Sequence, residues 1–238
     1  MRWGSAFAHD LRFQWRHGFY GVYLLVCLLY LLLLHFVPTD VQASIAILLT
    51  FSDPSAVGLI LAGGIILLEK DQAVHDQLFA TPLRVPEYLL AKAMSIGVLS
   101  TCAAWVIHGF SLGVPASPIL FSLSVMLSSS FFTFLSIGVV TRARSINGFV
   151  LLSQVYALPF ALPLLYFFGI GRESLYLIFP THGSLLLLES AIRTLSWREI
   201  IYAVAILTLW NGIAFLFAQR SFERRILGRI DVDRRDRR

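Results

Sequence analysis

The sequence predicts an all-α integral membrane protein with six transmembrane helices. Of its 238 residues 57% are hydrophobic and only 14% charged, and its mean hydropathy is +0.75. A soluble domain carries about a quarter charged residues. A hydrocarbon core of ~30 Å takes about 20 apolar residues per helix, and the runs 19–37, 41–68, 88–110, 119–140, 148–170 and 200–218 meet that length. They are continuously apolar without period-two alternation, so helices that satisfy their own backbone are expected and a β-barrel is not. The whole chain, 1–238, reads as one membrane domain. It comprises an interfacial helix over 1–18, a bundle over 19–218 and a basic cytoplasmic tail over 219–238.

Basic residues set the orientation. Of the 19 Lys and Arg, all but Arg172, Arg193 and Arg198 fall on one side of this topology. Both termini and the polar insert 69–87 are therefore expected in the cytoplasm. The net charge of +5 follows from this asymmetry. Anionic membrane lipids, not nucleic acid, are the partner it implies.

The elements follow in order. Trp3, Phe7, Leu11 and Trp15 repeat every four residues, with Arg2, His9, Arg12 and Arg16 opposite. This is the pattern of an amphipathic helix lying in the membrane interface; an ordinary basic flank of the first span is the alternative. Gly18 and Gly21 bracket the turn into that span. The run 19–37 exceeds the ~7–15 residues of a signal-peptide core and follows a segment containing Asp10, so it is expected to be retained.

The second run, 41–68, is too long for one straight crossing. Asp53-Pro54 predicts a break, with Asp53 as N-cap and Pro54 at the first helical position. Gly58 and Ala62, four apart, predict a close helix approach. Within the insert, Val74 and Leu78 give a short helix an apolar stripe, with Ala73 and Phe79 beside them. Glu69, Asp71 and Asp76 suit its N-terminal half, and Thr81-Pro82 ends it. The insert is either a helix seated in a partner's groove or a solvated loop. Pro86-Glu87 suits the first turn of the third span, with Tyr88 and Lys92 as interfacial anchors.

Between the last two spans, 175–179 and 185–188 are short apolar pieces separated by Pro180-Thr181-His182-Gly183. They predict external interfacial or re-entrant helices. Ser196 and Glu199 have capping-box spacing for the final span.

Several chemistries are excluded or weakened. Gly109-Phe110-Ser111-Leu112-Gly113 matches G-x-S-x-G but ends a membrane helix instead of following a strand. An intramembrane serine protease needs a His base on another span, and 200–218 contains none. Metal-ligating pairs and G-x-x-x-x-G-K-[ST] are both missing from the sequence, so neither a metal site nor P-loop nucleotide binding is expected. Cys27 and Cys102 both lie within spans and read as packing residues. No residue reads as a substrate contact.

A resemblance joins these readings. The strings are Phe51-Ser52-Asp53-Pro54, Gly63-Gly64 leading to Leu68-Glu69-Lys70, Leu78-Phe79-Ala80-Thr81-Pro82-Leu83 and Glu87-Tyr88-Leu89-Leu90-Ala91-Lys92. With Asp10-Leu11-Arg12-Phe13-Gln14-Trp15-Arg16, Arg144-Ser145-Ile146-Asn147-Gly148-Phe149 and Phe179-Pro180-Thr181, their order resembles ABC-2 type transporter permeases. More narrowly, it is similar to the bacterial fluoroquinolone export permeases.

The resemblance implies six spans and an elbow helix containing Trp3, Phe7, Leu11, Arg12, Trp15 and Arg16. It also implies a coupling helix between spans two and three that docks on a separate ABC ATPase through Glu69, Lys70, Asp71, Val74, His75, Leu78, Phe79, Thr81 and Pro82. ATP and Mg would sit on that ATPase and no cofactor on this chain, which is itself no enzyme. Two permease chains, as a homodimer in the bacterial cytoplasmic (inner) membrane, would enclose a path for an amphipathic, lipid-like or drug-like cargo moved outward. A membrane assembly or lipid-handling factor without transport is the alternative, and an intramembrane serine protease a weaker one.

Overall fold

The computed structural model describes residues 2–72, 83–143 and 145–224. All regular structure in these residues is helical. The long helices are α1 (Arg2–Arg16), α2 (Phe19–Phe36), α3 (Thr39–Asp71), α4 (Val85–Ser111) and α5 (Pro118–Val140). They are followed by α6 (Ile146–Ala161), α7 (Pro163–Phe167), α8 (Pro180–Leu188) and α9 (Trp197–Phe222). Two 3-10 turns, Glu173–Leu175 and Glu189–Ala191, flank α8.

Four of these helices, α2, α4, α5 and α9, are long and apolar enough to cross a membrane. α5 is the central one. Its apolar window is 83% buried, against 17% for α2 and for α9, and α3, α4 and α9 pack around it. The contacts are close because small residues line them. A Cβ on Gly58 of α3 would meet the Ser129 carbonyl oxygen at 3.4 Å and Phe132 Cβ at 3.5 Å. Ala62, one turn on, is fully buried, so the expected approach surface exists. Beside it, a Cβ on Gly63 would fall 2.0 Å from the Phe149 ring. Ser136 of α5 donates to the Leu59 carbonyl, fastening the same pair.

Two expectations are overturned. α3 runs unbroken from Thr39 to Asp71 through Asp53 and Pro54, so Asp53 is no N-cap and Pro54 opens no helix. Pro within a helix removes one backbone donor. In a bundle, neighbouring helices and Ser or Thr side chains can satisfy the acceptor it frees; just upstream, Ser52 donates to the Leu49 carbonyl and meets the Tyr30 hydroxyl at 3.2 Å.

The run 148–170 is likewise no single rod. α6 ends at Ala161 and α7 restarts at Pro163. Pro159 and Pro163 lack the donors needed to continue a regular ladder, and at Leu162 the bond becomes Leu162 N–H to Pro159 C=O at 3.4 Å.

Pro180–Gly183 also departs from its expected role. These residues form the first turn of α8, with Pro180 at the position that needs no amide donor. Of the preceding apolar piece, 175–179, only Leu175 belongs to a 3-10 turn, Glu173–Leu175, and the rest is turn and bend. α8 is held between α5 and α9. Ser124 donates to the Ser184 carbonyl at 2.9 Å and Ser128 to the Ser184 hydroxyl at 2.7 Å. Tyr202 and Trp210 of α9 donate to the Leu177 and Ile178 carbonyls.

The α9 start matches its expected cap. Ser196 Oγ accepts from the Glu199 amide and Glu199 Oε2 from the Ser196 amide. At the α4 start Glu87 Oε2 accepts from the Arg84 amide at 2.9 Å, with Pro86 in the first turn. Gly18, at φ 74°, makes the left-handed turn from α1 into α2.

Candidate functional site

Among the described residues the buried acids and lysine are Asp10, Glu69 and Lys92, and they gather where the insert leaves α3 and enters α4. Glu69 lies in the last turn of α3 and Lys92 in the second turn of α4, both fully buried. A lysine this deep needs an opposite charge, because an unpaired buried ion is costly by several kcal/mol. Lys92 Nζ donates to Glu69 Oε1 at 2.5 Å and to Asp10 Oδ1 of α1 at 2.7 Å. The Tyr88 hydroxyl donates to Glu69 Oε2. Lys92 Nζ also sits 5.1 Å from the Tyr88 ring centroid, and that ring packs on Phe222 in the last turn of α9 at 5.3 Å.

One buried ammonium therefore faces two carboxyls, and four helices meet around it. Asp10 Oδ2 is buried without a hydrogen-bond partner. Burial pushes the Asp10 carboxyl above its ordinary value, against the opposing pull of Lys92. Further along α4, Gln14 of α1 donates to Ser95 Oγ at 3.0 Å, and Ser95 donates to the Lys92 carbonyl at 2.9 Å. Tyr23 of α2 meets Ser100 at 3.1 Å. These bonds bind α1 and α2 to one face of α4. Chemically the arrangement is a clamp. Its carboxyls and ammonium are engaged with one another, and no group of three or more metal-ligating side chains occurs among the described residues.

Several residues singled out in the sequence can now be located. Glu69 belongs to the clamp and its side chain is buried; Lys70 is exposed. Asp71 ends α3. Val74, His75, Leu78, Phe79, Thr81 and Pro82 lie outside the described residues. Tyr88 and Lys92 are not interfacial anchors but buried members of the clamp. On α1, Phe7 and Leu11 are half-buried, Trp15 is 74% exposed, and Arg12 and Arg16 are exposed. Trp3 lies in the first turn of α1. The face α1 buries is that of Asp10, Phe13 and Gln14, beside the tryptophan stripe and not on it.

Ser111 donates to the Ile107 carbonyl at 2.6 Å, while His108 Nδ1 lies 2.8 Å from the Gly113 carbonyl. Nucleophile and base are thus turned away from each other, and the hydrolase motif has no catalytic geometry.

A second feature is an apolar cleft between α3, α5 and α6, of about 170 Å³. Phe51, Leu59, Phe132, Ala157 and Phe160 line it, with Gln154 as its polar group.

Nearly the whole chain is similar to known proteins. The family model described as fluoroquinolones export permease protein matches residues 1–230. Two curated relatives, named fluoroquinolones export permease proteins, come from Mycobacterium tuberculosis strains CDC 1551 / Oshkosh and ATCC 25618 / H37Rv. Each is 27% identical over 203 residues, covering 82% of this chain and 84% of the relative.

Proposed function

Because this chain belongs to the fluoroquinolones export permease family, we propose that it is the membrane-spanning permease subunit of an ATP-driven ABC exporter. On this reading α3 and the α6–α7 pair complete six crossings with the four longer apolar helices. Both termini and the insert face the cytoplasm, α1 lies in the interface, and the short helices around α8 lie on the outer side. The insert docks on a separate ATPase that carries ATP and Mg, and two permease chains enclose the path. The cargo is amphipathic or drug-like, because the bundle offers an apolar cleft and few groups able to desolvate an ion.

The observation that best supports this reading is the Asp10–Lys92–Glu69 clamp. It ties both roots of the insert to each other and to α1. A push on the insert therefore cannot be absorbed by independent movement of α3 and α4; it moves α1, α3 and α4 as a unit.

The test is affinity purification of the full chain from its own cells in mild detergent, with identification of any ATPase that co-purifies. Val74→Asp with Leu78→Asp should leave membrane insertion intact and abolish both ATPase co-purification and substrate-stimulated turnover. Retention of both activities would remove the docking assignment. Absence of any co-purifying ATPase from the unaltered chain in mild detergent would remove the exporter reading itself.

A further inference from the structure

Beside the clamp face of α1 lies a basic cavity of about 520 Å³, lined by His9, Arg12, Phe13, Arg16, His17 and Gln72. Arg12 and Arg16 are one turn apart and exposed. Among the described residues no carboxylate lines the cavity. Two nearby acids, Asp10 and Glu69, are turned inward onto Lys92. Among the described residues neither arginine has an ion-pair partner.

The cavity wall is built, not incidental. Phe13 is 8% exposed and stacks on the His17 ring with centroids 4.0 Å apart. His17 Nδ1 donates to the Phe13 carbonyl at 2.9 Å. A carbonyl only accepts, so Nδ1 carries the proton and the ring is held in one orientation. Gln72, which caps α3 at the root of the insert, closes the far side.

Two adjacent guanidinium forks with no acid of their own match the oxygens of a phosphate, which they bind bidentately. The cavity has more room than a bare phosphate needs and suits a phosphodiester carrying glycerol. Position names the source. The stripe beside the buried face of α1 carries Phe7, Leu11 and the 74%-exposed Trp15. A helix with such a stripe sunk about 5–10 Å into the headgroup–acyl boundary carries its arginines at headgroup level.

We propose that this cavity binds the phosphate group of an anionic glycerophospholipid. The lipid bridges α1 to Gln72 and so forms a second tie at the root of the insert, outside the clamp. This proposal rests on the interfacial placement of α1 but not on the identity of the ATPase or cargo.

The test uses the full chain purified in mild detergent with equal amounts of phosphatidylglycerol and phosphatidylcholine, read by native mass spectrometry. Retention of phosphatidylglycerol over phosphatidylcholine is expected. Arg12→Gln with Arg16→Gln should lower that retention roughly thirtyfold, at roughly fivefold per arginine near an anionic lipid. Arg198→Gln should leave it unchanged. A second measurement needs no variant: photoactivatable phosphatidylglycerol should crosslink to α1 or to Gln72. Equal retention of both lipids, unchanged retention in the double variant, or crosslinks confined to other helices would overturn the proposal. Displacement of the lipid by millimolar inorganic phosphate alone would assign the cavity to a soluble anion and overturn it as well. ATPase co-purification is scored in the same preparations, so loss of the lipid site and loss of the exporter reading are separate results.

Discussion

Replacing Lys92 by Met tests the clamp most directly, because Met keeps the length and removes the charge. Glu69 is fully buried and Asp10 4% exposed, so both carboxyls then lose the ammonium that faces them. Each can escape by taking a proton. For a carboxyl of ordinary pKa near 4 this costs ~4 kcal/mol at pH 7, at ~1.36 kcal/mol per pKa unit. Asp10 is already raised by burial, so it takes up a proton at less cost than a carboxyl of ordinary pKa. Removing one partner of a buried pair costs about 3–5 kcal/mol, and the two arguments agree on that range for Lys92→Met.

The triple variant Lys92→Met, Asp10→Asn, Glu69→Gln removes the charge imbalance and should recover all but ~1–2 kcal/mol. Arg193→Met is the control. Its pairs with Glu189 and Glu199 at 2.7 and 3.0 Å have side chains about one-third exposed, so it should cost at most about 1 kcal/mol. Unfolding in mixed micelles followed by near-UV circular dichroism provides the assay. Equal losses in Lys92→Met and Arg193→Met, or a triple variant no better than Lys92→Met, would refute the assignment of the cluster as a buried ionic clamp.

Other outcomes follow from packing and capping. Gly63→Ala places a methyl 2.0 Å from the Phe149 ring and should cost ~1–3 kcal/mol by overpacking; Phe149→Leu in the same chain should restore most of it, measured as the unfolding midpoint. Ser196→Ala removes one half of the α9 capping box and should cost ~1 kcal/mol, read as faster amide exchange in the first turn of α9. Ser111→Ala deletes a hydroxyl that bonds only to carbonyls of its own helix; export and folding should both survive it, and loss of export alone would reopen a chemical role for that residue.

The helices were legible because span length is a property of composition alone. α2, α4, α5 and α9 begin and end within a few residues of their apolar runs. Gly58 and Ala62 were legible for a related reason, since small residues one turn apart leave only close approach as a use. Pro54 misled because proline propensity is learned from water. Inside a bundle, neighbouring groups can satisfy the acceptor it frees, and α3 continues through it. The clamp was missed because its members lie far apart in sequence, and each had a plausible local explanation. Glu69 looked like the start of the insert, Lys92 like an interfacial anchor, and Asp10 only like an acid that argued against a signal peptide. A signal was present: a lysine inside an apolar run of membrane length requires a partner, and Asp10 and Glu69 were the acids nearest that end of the bundle. The exposed face of α1 followed its periodicity, whereas the buried face required the position of α4.

The continuity of α3 has a mechanical consequence. At 1.5 Å per residue its 33 residues form a rod about 50 Å long. With no joint at Pro54, rotation at one end must appear at the other. Pivoting about its middle against α5, a tilt of about 5° displaces each end by about 2 Å, in opposite directions. Glu69 rides on one of those ends, while Phe51 and Leu59, which border the apolar cleft, lie near the pivot. The ends therefore sweep while the cleft residues turn almost in place. Such a motion changes which way Phe51 and Leu59 face without pulling them out of the bundle.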